Sequence, residues 1–493
     1  MDLGSNSFHL QIGRVVDDQI YLLDGLRDPV QLGAGLTRER RIDRTTQIRA
    51  LDALSRFGER LRGFPRGAVR AVGTNALRVA KNAEQFLAEA EAVMGFPVEV
   101  IFGKEEARLI YIGVAHSLPP STEGRLVVDV GGGSTEFVIG AGLKPELMES
   151  VSMGCVSYSF KFFPDGALDK QSFKRAELAA ANEIERLVKP FRRAGWVQAV
   201  ASSGTARTVA SILRSYGWCE RGISAQGLDR LRSSMIKAGD INALRLPDMR
   251  EDRLRVLAGG VAILIAVFSE LGVDSMEVSD SALRQGVLYD LLGRVQHHDA
   301  REATVSHFQR RYHVDAPQAD RVAVLAERLY AQTVTDPAED DLLMLRWAAS
   351  LHEIGISIAH AGYHKHSAYI LAQADMPGFS QHEQARLSRI VLAHRGKLTK
   401  SELEGLRARS ADWSLIYSLR LAALFCRSRN EIKFPKFLAG STDTGFHLAL
   451  PADWREAHPM TQAALEEEAQ EWAVLGMKLE LRTQNGERLH PAG

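Results

Sequence analysis

Two stretches place an acid ahead of a run of small residues: "DLGSNS" from Asp2 to Ser7 and "DVGGGS" from Asp129 to Ser134. Glycine lets a backbone approach a ligand closely, and successive backbone N–H groups in such a loop form an anion-binding nest. Gly4, Ser5, Asn6 and Ser7 in one loop, and Gly131, Gly132, Gly133 and Ser134 in the other, are therefore candidate phosphate-binding residues. The acids Asp2 and Asp129 stand where Mg²⁺ would bridge to phosphate oxygens. That cation takes one or two carboxylates and keeps several waters. A single glycine-rich turn between strands would be an ordinary hairpin. Two matched copies, each with an acid before and a hydroxyl after, favour a paired phosphate site. Neither a Walker A pattern nor GxGxxG occurs, which excludes the P-loop and Rossmann readings.

Glu105 and Glu106 open the helical run "KEEARLIYIG". Helical spacing puts Glu106 on the face of Leu109, Ile110 and Gly113, toward the apolar side and a cleft. Glu105 points toward Arg108, and an ordinary surface ion pair is expected there. An acid in a helix's first turn also complements the helix dipole, worth ~0.3–1 kcal/mol. Glu106 is the candidate general base, placed to deprotonate a water for in-line attack on phosphorus. A third small-residue loop, "SSGTAR", opens another helix, and its Ser203, Gly204 and Thr205 N–H groups can take a further phosphate.

The elements that must position these residues follow from periodicity. Residues 7–23 alternate about an Asp17-Asp18 turn and predict a hairpin. Residues 43–62, 82–94 and 170–190 predict amphipathic helices. "VRAVGTNALR", "WVQAVASSGTARTVASIL" and "MEVSDSALRQGVLYDLL" each predict a strand passing through a loop toward a helix. "PPSTEG" marks a boundary near residue 122. Mixed strands and helices imply α/β layers, and the near-repeat implies two related halves. From about residue 300 the pattern becomes helical, and the last 60 residues mix short strands with one helix. Asp2 has only Met1 before it, whereas Asp129 follows a full apolar strand, so the first strand is expected to lack its beginning.

With 493 residues the chain has room for about three domains at roughly 150 residues each. Its 61 basic and 61 acidic residues cancel, so any polyanion site must be a local patch. Cys155, Cys219 and Cys426 are far apart and give neither a disulfide framework nor a zinc spacing, as in a reducing cytosol. The apolar run from Val256 to Phe268 is shorter than the roughly 20 residues a membrane span needs and predicts a core helix.

"DLGSNSFHL", "VGTNALR", "KEEARLIYIG", "VVDVGGGSTEFVIG", "MGCVSYS", "ASSGTARTV" and "LRQGVLYDLL" together resemble the exopolyphosphatase/guanosine pentaphosphate phosphohydrolase family. The resemblance spans nearly the whole chain and is most like the long exopolyphosphatases. It implies an α/β fold of two actin-like (ribonuclease H-like) domains, residues 1–122 and 123–299. An all-α HD-like domain, 300–430, and a small α/β domain, 431–493, would follow. It implies Glu106 as the base, Glu136 joining Asp2 and Asp129 on Mg²⁺ or Mn²⁺, and Thr74 and Arg78 on phosphate, with K⁺ as an activator. Ser281 stands where the family usually has glycine.

The implied substrates are inorganic polyphosphate, cut processively from its end, and pppGpp. Both present a terminal phosphoanhydride, and the catalytic residues do not separate them. Domain count and basic charge lean toward polyphosphate. A phosphotransferase or a nucleotide sensor on the same fold is the alternative of another class. The resemblance further implies a homodimer in the cytoplasm or at a membrane periphery, with no transmembrane segment and no nucleic acid.

In the helical region, His352-Glu353 stands where HD-type phosphohydrolases carry His-Asp, but no further set of ligands completes a metal centre of the usual kind. His360, His364 and His366 form a local cluster read as structural or phosphate-touching. Arg395, Lys397, Lys400, Arg427, Arg429, Lys433 and Lys436 concentrate positive charge. They form a candidate polyphosphate track, which would raise the effective concentration of a long chain at the site.

Overall fold

The computed structural model describes residues 1–16, 19–244, 246, 251–296, 299–399, 410–430 and 434–483. It divides into two compact units, residues 1–300 with 377–381, and residues 301–376 with 382–493.

The first unit contains two sheets of like topology. In one lobe β1 (Asp2–Leu3), β2 (Phe8–Val16), β3 (Gln19–Asp28), β4 (Ala71–Gly73) and β5 (Val98–Val100) lie in the order β3-β2-β1-β4-β5. Strand β1 pairs antiparallel with β2 and parallel with β4. The hairpin forms as expected, with its Asp17-Asp18 turn outside the described residues. In the other lobe β6 (Arg125–Val130), β7 (Thr135–Ala141), β8 (Lys144–Val151), β9 (Gln198–Ser202), β10 (Ile223–Ser224) and β11 (Ser275–Val278) lie in the order β10-β11-β9-β6-β7-β8. Strand β6 repeats the role of β1, antiparallel to β7 and parallel to β9. The repeated acid-and-glycine stretches thus occupy the same place twice, the turn between the first two strands of each sheet.

Helices α1 (Arg44–Arg60), α2 (Asn75–Val79), α3 (Ala83–Met94) and α4 (Gly103–Ser117) accompany the first sheet. The second carries α5 (Cys155–Phe162), α6 (Lys170–Ala194), α7 (Gly204–Ser215), α8 (Ala225–Ala238), α9 (Glu251–Leu271) and α10 (Leu283–Val295). Asp43 starts α1 by accepting the Thr46 N–H at 2.8 Å, and Ala50, Ala53, Leu54 and Phe57 recur at helical spacing into the first core. Strand β6 is buried along its whole length, as its continuous apolar run requires of a strand covered on both faces. Helix α9 lies in the second core, where its Leu257, Val261 and Leu264 join Phe173 and Phe191. Its stretch Arg253–Leu271 is apolar and long enough to cross a membrane, yet 72% of that window is buried in this unit. The expected core helix is what forms.

In the second unit α11 (Ala300–Arg311), α12 (Ala316–Thr333), α13 (Glu339–Leu351), α14 (Tyr363–Gln373), α15 (Gln381–Ala393) and α16 (Ser410–Phe425) precede a three-stranded sheet, β12-β13-β14. Its strands are β12 (Leu438–Thr442), β13 (Gly445–Leu450) and β14 (Lys478–Thr483), with α17 (Ala452–Ala457) and α18 (Pro459–Val474) between the last two. Two helices therefore stand where one was expected, with His458 between them as the C-cap of the first. The sheet shares a core with α16: the Tyr417 and Phe446 rings stack 4.4 Å apart, and Trp472 closes on both.

Candidate active site

The two turns face each other across a cleft in the first unit. Asp2, Gly4, Ser5, Asn6, Ser7, Thr74, Glu106, Asp129, Gly131, Gly132, Gly133, Ser134, Ser203, Gly204 and Thr205 all line it. The turns nearly touch, since a Cβ on Gly132 would stand 3.0 Å from Ser5 Cβ, and one on Gly133 would stand 2.3 Å from Asn75 Oδ1. A side chain at Gly132 would have to push Ser5 aside and one at Gly133 would have to displace the Asn75 amide, which favours glycine where the turns approach. The Asn6 side-chain nitrogen is buried without a partner, a donor available to a phosphate oxygen.

Glu106 enters from the first turn of α4, where its N–H is bonded to Phe102 O at 2.9 Å. Its Oε2 accepts from Arg78 Nη1 at 3.2 Å, and that guanidinium also donates to Ile101 O at 2.8 Å. Burial raises the Glu106 carboxyl to about 7, against the pull of Arg78 and with help from Asp2 and Asp129. Burial likewise raises Asp2 to about 6. Asp129 is raised by burial, although the Ser202 hydroxyl bonds to it. Glu136 does not line the cleft but stands behind it, accepting from Ser150 Oγ at 2.8 Å. Its Oε2 lies 4.0 Å from the place of a Gly131 Cβ. Burial, then Glu106 and Asp129, hold it well above the usual carboxylate range. Burial raises all four carboxyls, and neighbouring carboxyls add to it at Asp2, Glu106 and Glu136; such a group wants a cation. All are hard oxygen donors, the chemistry that suits Mg²⁺ or Mn²⁺. Among the described residues no three His, Cys, Asp or Glu stand at ligating geometry. The donor set fits a cation held by one or two carboxylates with water completing its shell.

The third loop carries a backbone strain. Ser203 has φ +108° and ψ 162°, a region nearly reserved for glycine and costing on the order of 1–3 kcal/mol. The strained turn lets Ser203 Oγ cap the Ala206 N–H at 3.1 Å and aims the α7 N-terminus into the cleft. Beside it the Arg253 guanidinium lies where a Cβ on Gly204 would be, 2.3 Å from Nη1.

Sequence reasoning missed the arginines of this cleft. Arg207, Arg253 and Arg284 line it together with His9. Arg284 Nη1 is 3.0 Å from His9 Nδ1, Arg207 donates to Asp280 O at 3.0 Å, and Arg27 donates to Ser7 Oγ at 3.1 Å. Burial, then Arg284, Arg27, Arg253 and Arg207 in turn, push His9 down to about 3. It is a neutral imidazole in a positive field. Arg207 and Arg284 fall within "SSGTAR" and "LRQG", so their motifs were visible; only the fold shows that both side chains reach the cleft.

Glu105 is a correction. It is buried, 3% exposed, and forms no surface pair. Its partners are internal, because α4 is covered by α10 on that side.

In the second unit His352 and His394 are buried, each with Nδ1 toward a backbone carbonyl, Ala349 O at 2.7 Å and Val391 O at 2.5 Å. Glu353 accepts from Arg429 Nη2 at 2.6 Å, and Arg429 also reaches Asp315 at 3.1 Å. Of the basic track, Arg429 is thus engaged by acids. Arg395 lies 4.9 Å over the Tyr363 ring. Lys397, Arg427 and Lys436 are exposed, and Lys400 and Lys433 lie outside the described residues.

Two lobes built on one topology meet at paired acid-and-glycine turns with a buried glutamate between them, a two-lobed α/β fold. Comparison with known proteins makes this specific. The model of the Ppx/GppA phosphatase family matches residues 11–295, and that of Ppx/GppA phosphatase domain III matches residues 300–469; the chain belongs to this family. It is 36% identical over 483 residues to a guanosine-5'-triphosphate,3'-diphosphate pyrophosphatase of Pseudoalteromonas translucida, covering 97% of each chain. Among solved structures, an exopolyphosphatase from Cytophaga hutchinsonii superposes with TM-score 0.54 at 26% identity, covering 59% of this chain and 96% of that one. A Ppx/GppA family member from Aquifex aeolicus gives TM-score 0.51 at 27% identity, covering 60% and 97%.

Proposed function

We propose that the protein hydrolyses the terminal phosphoanhydride of pppGpp, giving ppGpp and orthophosphate. The observation that carries a hydrolase is Glu106, a carboxyl raised to about 7 and held by Arg78 between two phosphate loops. A water on its cleft side loses a proton to Glu106 as its oxygen bonds to the terminal phosphorus. The bond from that phosphorus to the bridging oxygen breaks, and ppGpp leaves with the electron pair. The N–H groups of Gly132 and Gly133 and of Ser5 to Ser7, with Arg78, neutralise charge on the phosphoryl oxygens, the larger part of catalysis in phosphoryl transfer, while the Gly131 N–H closes its own turn on Ser134 O. Asp2 and Asp129, which line the cleft, would hold Mg²⁺ or Mn²⁺ with water completing its shell, and Glu136 stands behind them; the cation when bound supplies further charge neutralisation.

The choice of pppGpp over polyphosphate is supported by the curated relative, similar along nearly its full length. Arg207, Arg253 and Arg284 in the same cleft suit a substrate with more than one phosphate group. Polyphosphate is kept as a second substrate, favoured by the likeness to a solved exopolyphosphatase and by the exposed Arg395, Lys397, Arg427 and Lys436. The test is phosphate release from pppGpp, long-chain polyphosphate and ATP, with Mg²⁺ and with chelator. Release from pppGpp is expected to be fastest and to need the cation. A faster release from polyphosphate would reverse the substrate order, and release from none would reject a hydrolase.

A further inference from the structure

Glu106 owes its place to a helix, and the neighbouring residue shows how that helix is held. Glu105 turns away from the cleft. Its two oxygens accept from Arg108 Nε and Nη2, each at 2.7 Å, and Oε2 also accepts the Gly378 N–H at 2.8 Å. Arg108 reaches on to Asp290 of α10. Asp290 receives Arg70 Nη1 at 2.5 Å and Arg294 Nε at 3.3 Å, and Arg70 also binds Glu99 of β5 at 3.0 Å. Three guanidiniums meet three carboxylates, and Glu105, Arg108, Arg70 and Asp290 are all buried. Burial opposes charge on Arg108, yet Glu105 and Asp290 keep its guanidinium firmly protonated.

A buried ionic network is poor evidence for stability, because desolvation cancels much of the attraction. Its geometric effect is larger. One turn further along, α4 and α10 touch backbone to backbone: a Cβ on Gly286 would stand 1.7 Å from Leu109 O, and one on Gly113 would stand 2.1 Å from Ala282 O. Helix α4 is thus pinned by charge in the turn that carries Glu106 and by contact in the turns after it. Rotation of α4 about its axis would swing both glutamates together, and the network forbids it.

We infer that Glu105, Arg108 and Asp290 are positioning residues for Glu106, fixing the roll of α4 so that the base meets the attacking water. The inference rests on Glu106 acting as the base of phosphate release. Functional groups must be held within about 0.5 Å and 10–20° of their working geometry, and a displacement of about 1 Å can cost ~10²-fold in rate.

The test compares Glu105→Gln and Asp290→Asn with the wild-type chain, using steady-state phosphate release on protein shown folded by circular dichroism and thermal melting. Turnover is expected to fall about tenfold or more with KM within about twofold, and Asp290→Glu should recover more turnover than Asp290→Asn. If Asp290→Asn does not fold, Glu105→Gln decides alone, since it keeps the size of the side chain and an oxygen for Gly378. Folded variants with wild-type turnover, or a loss confined to KM, would overturn the inference. A wild-type chain inert toward every phosphoanhydride would instead remove the hydrolase reading, and this one with it, so the two failures are told apart by the unmodified protein.

Discussion

Glu106 and Glu105 are adjacent carboxylates with opposite duties. Glu106 faces the cleft and sits near neutrality because burial and nearby acids outweigh Arg78. A base works only when deprotonated, so raising its affinity for protons moves its loss of function upward in pH. Release should therefore fall as pH drops through about 7, with a flat limb above, read from a pH profile of kcat/KM. Glu106→Gln should lower kcat by ~10²–10⁴ with substrate binding retained in equilibrium dialysis. A variant with near-normal kcat would show that the proton goes elsewhere. Helical spacing alone separated the two residues correctly as to direction. It placed Glu105 at the surface because i to i+3 acid–arginine pairs usually lie there. The residue that buries the pair, Asp290, is remote in sequence, and no local pattern announces it.

At the scale of elements, the small-residue turns were legible because the same acid-and-glycine pattern occurs twice, which an ordinary hairpin does not explain. Strand and helix order in the first unit was legible for a related reason: apolar runs such as that of β6 allow one covered strand and little else. The arginines at the cleft were not, since a basic residue in a helix's first turn gives no sign of which way the helix is aimed. The contact between α4 and α10 was equally hidden, although Gly113 and Gly286 were both in view. There the glycines serve proximity, so adding a methyl group should be costly. Gly286→Ala is expected to destabilise the first unit by ~1–3 kcal/mol, the usual range for overpacking, seen as a lower urea midpoint at unchanged slope. An unchanged midpoint would mean the helices can part without loss.

For the molecule as a whole, a balanced charge of 61 against 61 conceals local excesses of opposite sign. Acids gather behind the paired loops, arginines gather across from them, and exposed lysine and arginine side chains gather near residues 395 and 436. Neutralising Arg395 and Lys397 together should slow release from long polyphosphate more than from pppGpp, compared at equal terminal-phosphate concentration. Equal slowing of both would remove any special role in holding long chains. Such a surface cannot be assigned from composition, because solvated helix faces are rich in the same residues; Arg429, spent on Glu353 and Asp315, shows how easily one is miscounted.

The doubled sheet has one further consequence. Helices α4 and α10 follow the equivalent strand in each copy, β5 and β11, and each sends a first-turn side chain into the shared cleft. From one copy it is Glu106, from the other Arg284. The repeated frame thus carries a carboxyl on one flank and a guanidinium on the other. A linear polyanion is the same read from either end, but once seated between unlike flanks it has a head and a tail. Only the head would lie beside the glutamate, so if polyphosphate is taken as the second substrate, the frame would give direction to a chain that has none of its own.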